Sequence, residues 1–214
     1  MEHKRLHIKQ EITKIAFKEE WKEIPHVIYA GELGKVRDLI ELLPLIKRLN
    51  IKFFLDGTKK KNYDAVQILS SLGIYSGIVI NENADWERIT DLMYYALCGK
   101  VPHAPIEPFQ YVFEMYQRNK LVDFGRVYFE ETNGVSDVDD QFFTTKNTME
   151  PQKTQRIKTS VARQRFFYEP TECAACEGWR ICLGKYDALE NKSSCQNFMS
   201  EFLNVIEMKK YTKP

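Results

Sequence analysis

A chain of 214 residues is long enough for one large domain, or for a domain with a small appendage. Its apolar fraction of 43%, with 13 Phe, 11 Tyr and 3 Trp, is enough for a sizeable core. The net charge of +1 argues for no particular partner and lacks the basic excess of a nucleic-acid binder.

In chain order, Met1 to Gln10 is basic but holds no apolar run of signal-peptide length. His26-Val27-Ile28-Tyr29 favours a strand that Gly31 ends. Leu33 to Leu49 places Val36, Leu39, Ile40, Leu43 and Ile46 at helical spacing, with Pro44 set to kink or split that helix. Ile51 to Leu55 reads as a strand closed by the turn signal Asp56-Gly57. Tyr63 to Leu72 reads as a helix with Ala65, Val66, Ile68, Leu69 and Leu72 on its apolar side and Gly73 as C-cap. Ile74 to Ile80 is a strand, and Asn83 or Asp85 caps a helix carrying Trp86, Ile89, Leu92, Met93 and Ala96. Three strand–helix units at this spacing predict an α/β fold with a parallel sheet, a half barrel or small doubly wound sheet. They are too few for a closed eight-stranded barrel, which takes about 250 residues.

The pattern then changes. Val101 to Pro108, with three prolines, reads as a linker or wrapped loop, and Phe109 to Asn119 as a short helix. Arg126 to Glu131 is a strand candidate and Thr132 to Glu150 an acidic loop. Pro151 to Arg165 is basic, with Lys153, Arg156, Lys158, Arg163 and Arg165, and Phe166-Phe167-Tyr168 leads into a cysteine-rich end. A final helix runs from about Cys195 to Lys210. The expected domains are 1–100, a connecting segment 101–165, and 166–214.

No apolar run is long enough to span a bilayer, so a soluble, cytoplasmic chain without a membrane partner is expected. The cytosol keeps thiols reduced, and clustered cysteines there point to metal or redox chemistry. Cys98 stands alone; the other four are spaced Cys173-x2-Cys176-x5-Cys182-x12-Cys195. A Cys-x2-Cys turn brings two thiolates to one metal, and the remaining pair completes the ligation. Small Ala174 and Ala175 and flexible Gly178 and Gly184 suit backbone wrapped closely around such a site. Four thiolates suit zinc and iron–sulfur alike, though a zinc ribbon shows two close pairs where this chain has one.

The segment Cys173 to Phe198 resembles the C-terminal motif of SPASM domains, which follow the barrel of many radical S-adenosylmethionine (SAM) peptide-modifying enzymes. That motif includes Cys-x2-Cys-x5-Cys-x3-Cys and a distant final cysteine. Cys173, Cys176, Cys182 and Cys195 match, and Tyr186 stands where the x3 cysteine would be. The resemblance implies one [4Fe-4S] cluster held by Cys173, Cys176, Cys182 and Cys195, the outer of the family's two auxiliary clusters, with the inner one lost. Residues 25–98, through Leu55-Asp56-Gly57, Asn62-Tyr63-Asp64 and Leu72-Gly73-Ile74, are similar in a less specific way to a middle unit of the radical SAM barrel. The Cys-x3-Cys-x2-Cys motif that holds the family's catalytic cluster is missing, since no cysteine precedes Cys98. The implied protein is a shortened pseudo-radical-SAM protein: a partial (β/α) barrel-like sheet followed by a small SPASM-like domain, with no catalytic residues. Its implied role is a non-catalytic accessory in peptide maturation, binding a ribosomally made peptide or a radical SAM enzyme.

An electron-transfer iron–sulfur protein and a zinc-stabilised interaction domain are the alternatives; no acid–base or nucleophile set marks an enzyme of other chemistry. Asp137, Asp139 and Asp140 lack the glycine and distal glutamate of a calcium loop and read as a solvated loop. The basic run 153–165 reads as a solvated linker. His3, His7, His26 and His103 have no partner at ligand spacing. Cys98 is expected to pack as a small buried residue, and Trp179 to shield the metal centre from water.

Overall fold

The computed structural model describes residues 4–23, 26–80, 83–118, 172–173, 175–182 and 192–211. The strand candidate at 126–131, the acidic and basic stretches and Tyr186 lie outside them. The described residues fall into two compact units, one of residues 4–83 and 100–107, the other of 84–99, 108–118 and the C-terminal segments.

The first unit is a five-stranded sheet of β1 (Lys4–Glu11), β2 (His26–Glu32), β3 (Ile51–Asp56), β4 (Ser76–Val79) and β5 (Ile106–Glu107). Every neighbouring pair is parallel and the spatial order is the chain order. Parallel neighbours need crossovers, and α1 (Val36–Arg48) and α2 (Lys60–Ser71) supply them for β2–β3 and β3–β4. Between β1 and β2 the chain makes two short 3-10 turns instead, Ile12–Lys14 and Glu19–Glu23.

Burial explains the strand sequences. β4 is buried at every position and β3 at four of six, and their apolar residues are adjacent, Phe53-Phe54-Leu55 and Ile78-Val79, instead of alternating. β2 alternates, with His26, Ile28 and Ala30 inward. His26 is 1% exposed and its ring stacks on Trp21 at 5.3 Å between centroids.

Two features of this unit go beyond the elements expected from the sequence. A strand precedes His26: β1 pairs with β2 in register from Lys4↔His26 to Ile8↔Ala30. The three-proline segment contributes β5, two residues framed by Pro105 and Pro108 and paired with Ser76 and Gly77. Pro44 lies inside α1 without dividing it. It sits on the exposed side, where water can take the carbonyl its missing N–H leaves open.

Turn chemistry fixes the strand ends. Asp56 Oδ1 accepts from the Thr58 amide and from Thr58 Oγ1, both at 2.9 Å. The buried Asn62 side chain donates to the Gly31 carbonyl at 3.1 Å and the Asp56 carbonyl at 2.9 Å, tying the ends of β2 and β3. Tyr63 donates to the Gly57 carbonyl at 2.7 Å. At the end of α2, the Gly73 amide donates to the Ser70 carbonyl and the Ile74 amide to the Leu69 carbonyl. That is a Schellman cap, and the φ of +78° it demands explains the glycine.

The second unit is helical: α3 (Trp86–Cys98), α4 (Phe109–Gln117), the single turn α5 (Trp179–Cys182) and α6 (Lys192–Tyr211). Asp85 caps α3, accepting from the Arg88 amide at 3.3 Å. Helices α3, α4 and α6 pack on one another. Phe198 and Phe202 of α6 and Phe109 of α4 form an aromatic cluster, with Trp86 of α3 against Phe198. Among the described residues no helix is long and apolar enough to cross a membrane.

Candidate metal centre

All four clustered cysteines belong to the second unit, and the backbone between them is a chain of short turns. The Cys176 amide donates to the Cys173 carbonyl at 3.2 Å, closing the Cys-x2-Cys turn. Trp179 then donates to the Cys176 carbonyl at 3.0 Å, and both Ile181 and Cys182 donate to the Gly178 carbonyl at 2.9 Å. Cys182 therefore arrives one turn after Gly178, with Ile181 fully buried beside it. The fourth cysteine comes from α6, which starts at Lys192 instead of near Cys195 and so carries Cys195 within its first turns.

Close packing joins the two segments. A Cβ at Gly178 would overlap the Cβ of Met199, so only glycine lets the turn approach α6 this closely. Ser200 Oγ donates to Glu177 Oε2 at 3.4 Å across the same junction. The Gly178 amide points at Cys176 Sγ at 3.4 Å, an N–H to sulfur contact of the kind that orients ligating thiolates.

Cys173, Cys176, Cys182 and Cys195 line one cavity, with Gly178, Trp179, Lys192, Gln196 and Met199. It encloses about 320 Å³ counted with its open mouth. Cys182 and Cys195 are buried at its floor, each 8% exposed, while Cys173 and Cys176 are half-buried. No disulfide joins any of the five cysteines. Among the described residues no three His, Cys, Asp or Glu side chains are grouped to hold a metal ion, so the four thiols share a cavity and not a single point. The lining still fits a soft, thiolate-held centre: four sulfurs, a thioether, an amide aimed at sulfur and no carboxylate.

Electrostatics favour the protonated form of the Cys195 thiol. Burial pushes the Cys195 thiol up, and Cys182, Cys176 and Cys173 add to the rise. A raised thiol pKa means the fold prefers the protonated form. Its stabilising contribution is complete below the ordinary thiol value of about 8.5 and declines as pH rises beyond it. The melting temperature of metal-free protein is expected to fall between about pH 8 and about pH 10, and less steeply in Cys195→Ala. Equal slopes for the two proteins would contradict this placement of Cys195. Metal capture runs the other way: it needs thiolates, releases protons and strengthens with pH.

Cys98 corrects the sequence expectation. It is exposed at the end of α3, because the buried side of that helix runs through Ile89, Leu92, Met93 and Leu97. It is not among the cavity-lining residues, so Cys98→Ala is expected to leave metal content unchanged. Loss of a metal equivalent in that variant, measured by elemental analysis, would place a second centre at Cys98.

The sequence reading missed Lys192, Gln196 and Met199. With Cys195 they occupy positions i, i+3, i+4 and i+7, one stripe of α6 turned to the cavity. Helical periodicity counted back from Cys195 carries that signal. No family model, curated protein or solved structure matches this chain.

Proposed function

We propose that the cysteine cavity holds one [4Fe-4S] cluster on Cys173, Cys176, Cys182 and Cys195, in a SPASM-like C-terminal domain. On this reading the protein is a non-catalytic accessory of a peptide-modification system, and it binds a ribosomally made peptide or a radical SAM partner enzyme. The observation that carries the reading is the convergence of all four spaced cysteines on one cavity with no carboxylate in its lining. The sheet adds support: an arc of a (β/α) barrel would carry its strands parallel and in chain order, as these five are. The word peptide rests on resemblance alone.

The half-buried Cys173 and Cys176 favour a second reading, electron transfer, because they bring the centre close to the surface. A reversible redox couple in the purified protein would select it, and redox silence would select the accessory role.

The deciding experiment is anaerobic purification followed by metal and sulfide analysis. About four irons and four sulfides per chain are expected. Stoichiometric zinc without sulfide would replace the cluster by a zinc-stabilised interaction domain on the same ligands. Given SAM and a strong reductant, the protein is expected to make no 5′-deoxyadenosine above background. SAM cleavage needs a three-cysteine cluster with one iron open, and the four cysteines here close theirs. Turnover dependent on any of the four would make the protein an enzyme.

A further inference from the structure

The cavity contains one charged side chain besides its thiols. Lys192 lies three residues before Cys195 on α6, on the same face, and lines the cavity with it. The helix has 20 residues, and its N-terminal end adds the partial positive charge of the helix dipole on the same side. Gln196, the other polar side chain in the lining, is neutral.

A metal held by four thiolates is anionic: four negative sulfurs around a divalent ion, or around a doubly positive iron–sulfur core, leave the centre doubly negative. Placing that charge in a part-buried cavity costs solvation unless a cation stands near.

We propose that Lys192 is the charge-compensating residue of this centre, its ammonium offsetting the negative charge of the metal–thiolate unit and so strengthening metal capture. The inference rests on the four-cysteine reading but not on the choice between iron–sulfur and zinc. Lys192 would act on the charge of the ligand set and take no part in ligation, since an ammonium has no lone pair to give.

The test is titration of the metal-free full chain with Co²⁺, followed through the thiolate-to-cobalt absorption band. Lys192→Gln is expected to weaken binding about tenfold and Lys192→Glu about a hundredfold, the scale of one and two charge changes at a partly screened site. Lys192→Arg keeps the charge and is expected to bind within about twofold of the unaltered protein. Lys209→Gln, near the far end of the same helix, serves as the control and is expected to change nothing. The losses should shrink as salt is raised, which a merely structural defect would not do.

Unchanged affinity in both Lys192→Gln and Lys192→Glu, with the band abolished by Cys176→Ser, would keep the centre and overturn the role of Lys192. A Lys192→Arg variant as weak as Lys192→Gln would also overturn it. Absence of a thiolate band in the unaltered protein would overturn the centre and this inference together.

Discussion

If the proposed cluster occupies the cavity, replacing Cys176 by Ser is expected to take the iron content from about four per chain to almost none. The substitution is selective because the backbone role of residue 176 survives it. Its amide can still donate to the Cys173 carbonyl, and its carbonyl can still accept from Trp179. What disappears is the soft sulfur that the Gly178 amide addresses at 3.4 Å, and a serine hydroxyl replaces it only as a poor, protonated ligand. Residues 172–182 hold few buried apolar side chains, Ile181 chief among them, so metal binding and local order are expected to be coupled. Faster proteolysis near 172–182 should accompany the metal loss. Retained stoichiometric metal in Cys176→Ser would remove Cys176 from the ligand set, and with it the significance of the Cys-x2-Cys turn.

The sheet was legible where burial wrote a pattern into the sequence. β3 and β4 carry the buried apolar runs Phe53-Phe54-Leu55 and Ile78-Val79, and α2 and α3 carry periodic buried residues between a Schellman glycine and an aspartate cap. β1 was not legible because Leu6 and Ile8 alternate with charged or polar neighbours at the sheet edge, where few apolar positions are needed. β5 is only two residues long, below what any periodicity can report. The short motifs in the sheet-bearing unit turn out to be local turn chemistry. Asp56 caps its own turn, Asn62 ties two strand ends and Gly73 adopts a positive φ. Many parallel α/β proteins need such residues, which is why those motifs separate families poorly.

The four cavity cysteines were legible in the sequence, and the side chains that surround them were not. Spacing alone singled out the four cysteines, because thiols this dense need a local cause. Lys192 and Gln196 stayed hidden because no rule of spacing ties a lysine to a metal site. Their relation to Cys195 exists only once α6 begins at Lys192 and its first turns face the cavity. Cys98 was misread for a related reason: cysteine is commonly buried, yet its helical phase, one residue past Leu97, turns it away from the packed side.

Truncating Phe198 should do more to the second unit's stability than any other single core change, because Phe198 joins three helices and neighbours the cysteine cavity in sequence. It is 1% exposed, with ring centroids 5.6 Å from Trp86 of α3, 6.4 Å from Phe109 of α4 and 5.6 Å from Phe202 one turn along α6. Removing a buried Phe to Ala costs about 3–5 kcal/mol, against a total stability of roughly 5–15 kcal/mol for a typical domain. For a unit of this size that corresponds to a fall in melting temperature on the order of 15 °C. The loss should also reach the metal, since Phe198 follows Cys195 by three residues and precedes Met199, the side chain that closes on Gly178. A looser α6 populates conformations in which Cys195 has left the cavity, and each such conformation lowers apparent affinity by its share of the population. Saturating metal should then restore part of the lost melting temperature, because a ligand at about a hundredfold excess over its dissociation constant adds roughly 2.7 kcal/mol to the folded state. A fall below about 3 °C in the metal-free Phe198→Ala protein would be far smaller than a buried three-helix contact allows. That result would show that α6 is not held through this cluster, and that Cys195 owes its position to something other than the aromatic packing beneath it.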